Sequence, residues 1–277
     1  MSKTVLITGC SSGFGKLTAK KFQQEGWNVI ATMRSPEKEQ ELTQIDNIWV
    51  TRLDVTDRES IDTAVREGMT KFGNIEVLVN NAGYGGHAAL EQFTEAQFKA
   101  MFDTNVFGVI RTSQALLPHM RKQQKGVIIN VTSMAGLVGL PLTSTYSASK
   151  FAVEGLTQSL AHEYKPFGIG VKSVAPGAFT TKFTENTRNN YEAGDSEITA
   201  FAQKGLAHFY GLAQQMRQQG GKEADPQDVA DIIYRCATEE TPVHNVVGSD
   251  AEMINEMKNS LPQQEFIEQM GQMLMPQ

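Results

Sequence analysis

The sequence predicts an α/β protein built on a doubly wound parallel sheet, with helices on both faces and a helical insertion near the C-terminus. Two observations carry this reading. Up to residue 181, short β-branched runs alternate with segments of helical period. A glycine-rich turn directly follows the first of those runs and opens a helix pattern. With no internal repeat and no linker, residues 1–277 read as one domain, with a core over 1–181.

The first strand is Val5–Thr8, reached straight from Met1-Ser2-Lys3, a run too short for a signal peptide. Further strands fall at Val29–Thr32, Trp49–Arg52, Val77–Asn80, Gly126–Thr132 and Gly170–Val174. Amphipathic stretches between them predict helices over Gly15–Glu25, Arg58–Phe72, Thr94–Arg121 and Tyr146–Lys165, the last stopped by Pro166. After Thr181 the character changes. Residues 182–222 are polar and Gln-rich, with scattered aromatics (Phe183, Tyr191, Phe201, Phe209, Tyr210) and a closing Gly220-Gly221, and predict the helical insertion over the sheet edge. Asp225 and Pro226 suit the N-cap and first turn of a helix reaching Thr238. His244–Val247 is a candidate last strand, and residues 250–277 an amphipathic or fraying tail.

Bulk properties exclude several functions. Net charge is −6 and Lys and Arg form no stripe, which argues against nucleic acid. No apolar run approaches the ~18 residues of a membrane span. The two cysteines, Cys10 and Cys236, lie far apart without metal-ligand spacing, and the five histidines are equally dispersed, so no metal is expected. The absence of a Gly-x-Ser-x-Gly elbow disfavours a serine hydrolase. A soluble cytoplasmic protein is expected.

The turn Thr8-Gly9-Cys10-Ser11-Ser12-Gly13-Phe14-Gly15 is the first candidate site. Glycine lets the backbone approach a ligand closely, and the following helix N-terminus offers free amides to a pyrophosphate. Gly9, Ser11, Ser12, Gly13, Phe14 and Gly15 thus form a candidate phosphate cradle, spaced Gly-x-x-x-Gly-x-Gly. At the end of the second strand, where an acid would hold the ribose hydroxyl of NAD, stands Met33, followed by Arg34. Guanidinium matches a phosphate dianion, so Arg34 favours NADP(H) over NAD(H), the alternative being a solvated arginine. Tyr146 and Lys150, four apart in a predicted helix, share one face. An ammonium beside a phenol, which ordinarily titrates near ~10, favours the phenolate and makes the tyrosine an acid-base group.

Together these motifs resemble the classical short-chain dehydrogenase/reductase family over residues 3–182. The matching pieces are Thr8–Gly15, Asp54-Val55, Asn80-Asn81-Ala82-Gly83, Asn105, Ser133, Tyr146-x-x-x-Lys150 and Pro176-Gly177 with Thr181. Gly139-Leu140-Pro141 and the run Tyr146–Ala152 are similar to the hydroxysteroid and retinol dehydrogenase branch. The resemblance implies a Rossmann-type fold and an NADP(H)-dependent oxidoreductase for a secondary alcohol/ketone pair on an apolar, steroid-like substrate. It makes Tyr146 the general acid/base, Ser133 its partner on the substrate oxygen, Lys150 the ribose-holding cation, and Asn105 the residue positioning a relay water. It places Asp54 and Val55 at the adenine, and Asn81, Ala82 and Gly83 at the adenosine ribose. Pro176, Gly177, Phe179 and Thr181 fall along the nicotinamide. Residues 182–222 become a substrate lid, and a homodimer or tetramer is expected, paired through the helices starting near Asn105 and Tyr146.

Other readings stay open for single residues. Ser133 suits a strand-end cap, Asn105 a helix N-cap, and Asp54 the start of a turn. Asn80 reads as structural, satisfying backbone groups beside its strand. The aromatics and methionines after 182 either line a pocket or pack the insertion. The rival function is a catalytically silent NADP(H)-binding sensor or scaffold, which a missing member of Asn105-Ser133-Tyr146-Lys150 would favour.

Overall fold

Continuous β-branched runs suit strands buried on both faces, and the chain uses them that way. The computed structural model describes residues 2–181, 183, 193–219 and 224–275. The strands are β1 (Thr4–Thr8), β2 (Asn28–Met33), β3 (Ile48–Arg52), β4 (Val77–Asn80), β5 (Gly126–Val131), β6 (Ile169–Pro176) and β7 (His244–Val247). All pair in parallel in one seven-stranded sheet, in the order β3-β2-β1-β4-β5-β6-β7. The helices are α1 (Gly13–Gln24), α2 (Arg58–Phe72), α3 (Glu95–Phe102), α4 (Gly108–Gln123), α5 (Ser144–Tyr164), α6 (Ser196–Gln219), α7 (Pro226–Thr238), α8 (Ser249–Ser260) and α9 (Gln263–Leu274).

Alternation along each strand makes two cores, one per face of the sheet. Val5, Ile7, Val29, Ala31, Val77 and Val79 pack with Ala19 and Phe22 of α1 and Val229 and Ile233 of α7. Leu6, Ile30, Leu78 and Ile128 turn the other way, onto Ile61 and Ala64 of α2 and Leu116 and Met120 of α4. Asp57 caps α2 by accepting the amides of Glu59 and Ser60, and Asp225 caps α7 through Gln227 N.

Three expectations need correction. The helix expected over Thr94–Arg121 is α3 and α4 joined by a π-helical turn, Asp103–Phe107. Such a turn adds one residue to the helix, a register change that a 3.6-residue period averages away. Residues 250–277 are not a fraying tail as far as residue 275. Phe266, Met270 and Leu274 repeat at helical spacing and bury against Met134, Val138 and Leu140. Asn80 does not satisfy backbone groups. Its amide donates to Ser113 Oγ (3.2 Å) and Asn130 Oδ1 (2.9 Å) and accepts from Thr112 Oγ1 (2.6 Å), so it ties the sheet to α4 through side chains alone.

Of the insertion expected over 182–222, residues 183 and 193–219 are described, and α6 makes up most of them. Its Ala202 and Leu206 pack on Leu142, and His208 Nε2 lies 3.0 Å from the Met273 carbonyl oxygen of α9. Tyr191 and Gly220-Gly221 lie outside the described residues. Among those described, no helix is long and apolar enough to cross a membrane, and no group of three His, Cys, Asp or Glu is placed to hold a metal. Phe266→Ala is expected to cost about 3 kcal/mol of stability by emptying the α9 contact. Urea unfolding of both proteins measures it, and an unchanged midpoint would mean that α9 contributes nothing to folding.

Candidate active site

Parallel pairing delivers the carboxyl end of every strand to the same edge, and the strand order reverses between β1 and β4, where a cleft opens. The glycine turn leaves β1 at that point. Gly9 and Gly13 have φ of +75° and +56°, backbone that L side chains rarely adopt. Gly15 is packed so closely that a Cβ there would overlap the Gly9 carbonyl oxygen. Ser12 starts α1 without a side-chain cap, so that side chain leaves the first-turn amides to other acceptors, as a phosphate would require. Ser11 is exposed and Phe14 half-buried, its ring edge-on to Phe179 at 5.6 Å.

Asn81, expected at a ribose, holds this turn in place. Its Nδ2 donates to the carbonyls of Thr8 (2.9 Å) and Gly9 (3.1 Å), while Thr8 Oγ1 accepts the amides of Asn81 and Ala82. Gly83 stands where a Cβ would lie 3.1 Å from Asn105 Oδ1 and 3.6 Å from Lys150 Nζ, so the β4 loop reaches the other predicted residues. Asp54 begins a turn, its Oδ1 accepting from Thr56 N (3.0 Å) and Oγ1 (2.8 Å). Val55 is buried beneath Gly108. At the end of β2, Met33 is buried in the core and Arg34 is exposed.

The π-helical turn points Asn105 inward rather than making it an N-cap. Its Nδ2 donates to the Tyr84 carbonyl (2.9 Å) and Ser149 Oγ (3.1 Å), and its Oδ1 accepts from Tyr84 N (3.1 Å). Ser133 leaves β5 and caps the next turn, accepting from Ala135 N at 3.1 Å, so the capping reading holds. The same side chain lies near enough to the Tyr146 phenol to favour its ionisation. Lys150, one turn along α5, is 5 % exposed; its Nζ lies 5.7 Å from the Tyr146 ring centroid and donates to the Val131 carbonyl at 3.0 Å. Asn105, Ser133, Tyr146 and Lys150 therefore meet at the ends of β4 and β5.

Electrostatics depart from expectation. Burial pushes the Tyr146 phenol up to about 12, opposed by the Ser133 hydroxyl beside it, which favours ionisation. Burial also brings the Lys150 ammonium down to about 8, opposed by the charge of Glu154. In the ligand-free protein desolvation therefore holds the phenol above its ordinary value, and the group that opposes it is Ser133 rather than Lys150.

Pro176, the last residue of β6, is buried, and Gly177 after it has no room for a side chain, since Asp250 fills that space. Asp250 Oδ2 accepts the Ala178 amide at 2.7 Å, fixing the loop to the start of α8. The sequence reading missed Asp250, because an acid in the first turn of a helix is ordinary and its partner lies 72 residues away. Thr181 closes the loop opposite Gly13, whose Cβ would meet Thr181 Cβ at 3.6 Å.

Comparison with known proteins agrees with this architecture. Residues 3–192 match the short chain dehydrogenase family. A 3-ketodihydrosphingosine reductase of Bacteroides thetaiotaomicron is 43% identical over 193 residues, 70% of each chain. An uncharacterized oxidoreductase of Bacillus subtilis, YusZ, is 38% identical over 86% of this chain and 85% of its own. The crystal structure of a short-chain dehydrogenase from Streptomyces avermitilis superposes with a TM-score of 0.80 at 34% identity, covering 97% of this chain and 96% of that one. ElxO with NADP bound superposes with a TM-score of 0.73 at 30% identity, covering 91% and 100%. A Brucella melitensis 3-ketoacyl-(acyl-carrier-protein) reductase complexed with NADH scores 0.72 at 27% identity, covering 88% and 96%. The chain belongs to the short-chain dehydrogenase family and is an oxidoreductase of that family. Gly15→Ala is expected to weaken NADPH binding about tenfold or more, because the added methyl displaces the Gly9 carbonyl. Fluorescence titration measures it, and undiminished affinity would show that this turn is not the cradle.

Proposed function

We propose that this protein interconverts a ketone and a secondary alcohol on an apolar substrate with NADP(H). The observation that carries the reading is the gathering of Ser133, Tyr146 and the buried Lys150 ammonium at the end of β5. Two neighbouring hydroxyls can both donate to one carbonyl oxygen, stabilising the charge that develops on it. A phenol at about 12 is protonated at neutral pH and so stands ready as the proton donor for reduction.

The nicotinamide cofactor, when bound, would supply or accept the hydride. The residues present fit it. The positive-φ glycines and the open N-terminus of α1 suit the pyrophosphate, and Lys150 suits the nicotinamide ribose hydroxyls. Asp54, Val55, Ala82 and Gly83 would border the adenosine, and Gly177, Phe179 and Thr181 the nicotinamide side. Asn105, held by Tyr84 and Ser149, would position a water between Lys150 and solvent. As Tyr146 gives up its proton, the Lys150 ammonium would stabilise the phenolate left behind. Arg34, exposed where no acid stands at the end of β2, supports a 2′-phosphate and hence NADP(H).

The surroundings of Tyr146 support an apolar substrate. Its ring lies 6.0 Å from that of Phe183 and borders the same apolar cluster as Phe209 and Leu212, surroundings suited to a hydrocarbon substrate under α6 as the lid. A ketone reductase among the relatives supports the reaction. Exposed Phe98, Phe107 and Phe151, on α3, the π-helical turn and α5, support pairing of two copies through that face.

Tyr146→Phe is expected to abolish NADPH-dependent reduction of apolar ketones while NADPH still binds; retained turnover would remove Tyr146 from the mechanism. Tight NADPH binding without turnover in the unaltered protein would favour the sensor reading. Arg34→Ala is expected to lower kcat/KM for NADPH about 10- to 100-fold and leave NADH nearly unaffected. Equal losses with both cofactors would mean that Arg34 does not read the phosphate.

A further inference from the structure

Behind Lys150, away from the cleft, lies a buried cluster that the roles above do not use. Glu154 follows Lys150 by one turn of α5 and is 7 % exposed. The two residues grip the last residue of β5 and the one after it: Lys150 Nζ donates to the Val131 carbonyl, and Glu154 Oε1 accepts from Thr132 Oγ1 at 2.5 Å. Glu154 Oε2 accepts from Ser173 Oγ of β6 (2.9 Å) and His244 Nδ1 of β7 (2.6 Å). The other ring nitrogen, His244 Nε2, lies 3.0 Å from Gln158 Nε2. One carboxylate thus joins α5 to three strands. Ser173 and the carboxylate both meet the same ring nitrogen, so this is not a nucleophile–base–acid relay, which needs one partner on each nitrogen.

We propose that Glu154, braced by His244, is a positioning residue for hydride transfer, the buried counter-charge to the Lys150 ammonium. The proposal rests on the reading of Tyr146 and Lys150 given above. A buried cation with one carbonyl partner is costly to keep charged unless an opposite charge lies nearby. The groups facing Lys150 limit the candidates. On α5 they are Tyr146 and Glu154; β5 presents the Val131 carbonyl, and the π-helical turn with the Gly83 loop presents the neutral amide of Asn105. His244, from β7, reaches Lys150 only through Glu154. Among the described residues Glu154 is the anion acting on Lys150, and its charge opposes the loss of the ammonium proton that burial promotes. The strands matter because three donors hold the carboxylate at a set place, so the field at Nζ is set by the fold rather than by a mobile side chain.

The test titrates Lys150 by NMR in ligand-free protein carrying 13C at lysine Cε, the resonance being assigned by its loss in Lys150→Met. The midpoint is expected near pH 8 in the unaltered protein and at least about one unit lower in Glu154→Gln. NADPH titration by fluorescence and the pH profile of kcat/KM are read alongside, and the alkaline limb should move down by the same amount. An unmoved NMR midpoint, or a lowered thermal midpoint with both titrations unchanged, would overturn the proposal and leave Glu154 a structural tie. Should Glu154→Gln fail to fold by circular dichroism, Glu154→Asp keeps the charge but withdraws it by one methylene. A smaller downward shift is then expected, and no shift would overturn the proposal. If the unaltered protein turns over no ketone, the functional reading fails, while the NMR arm still decides whether Glu154 sets the charge on Lys150.

Discussion

Parallel pairing of every strand is the constraint on which the rest of this structure depends. It points all seven carboxyl ends the same way, so residues far apart in the chain emerge along one edge. Thr8, Arg34, Asn81, Ser133 and Pro176 each follow or end a different strand there. The reversal between β1 and β4 separates the loops of those two strands and leaves the cleft between them. The crossovers that parallel pairing requires are α1, α2, α4, α5 and α7, whose apolar faces close the two cores.

The site also depends on polar groups that never reach it. Asn80, Asn130, Thr112, Ser113 and Thr157 form a fully buried hydrogen-bonded chain that locks β4 and β5 onto α4 and α5. Such a network rigidifies only when each member is satisfied. It lies under the strand ends that carry Asn81 and Ser133, so the candidate site rests on a support with few alternative arrangements. Glu154 performs a similar tie one strand further along, between α5 and the ends of β5, β6 and β7. Where Asn80 joins neutral groups, Glu154 brings a charge, and that charge lies one turn from Lys150.

The strands and most of the helices were legible in the sequence because two-sided burial demands unbroken β-branched runs, and a helix buried on one side demands a 3.6-residue period. The π-helical turn at Asp103–Phe107 was not, since one added residue barely disturbs the period yet rotates Asn105 inward. The tail was half legible: its amphipathic pattern is plain, but Met134, Val138 and Leu140, which receive it, lie more than a hundred residues earlier. The glycines of the turn were legible as positions of positive φ, while the bonds by which the Asn81 side chain holds that turn, to the carbonyls of Thr8 and Gly9, span more than seventy residues and leave no local pattern.

By itself the sequence determined the fold class, the order of the elements and the residue types at the candidate site, because these follow from local periodicity and from short motifs with a fixed spacing. Only the tertiary structure decided how charged the site is. The spacing of Tyr146 and Lys150 predicts a lowered phenol, whereas burial raises the phenol to about 12 and brings the ammonium down to about 8. Desolvation is a property of everything packed around a group, from α5, β5 and the Gly83 loop at once, and no run of neighbouring residues records it.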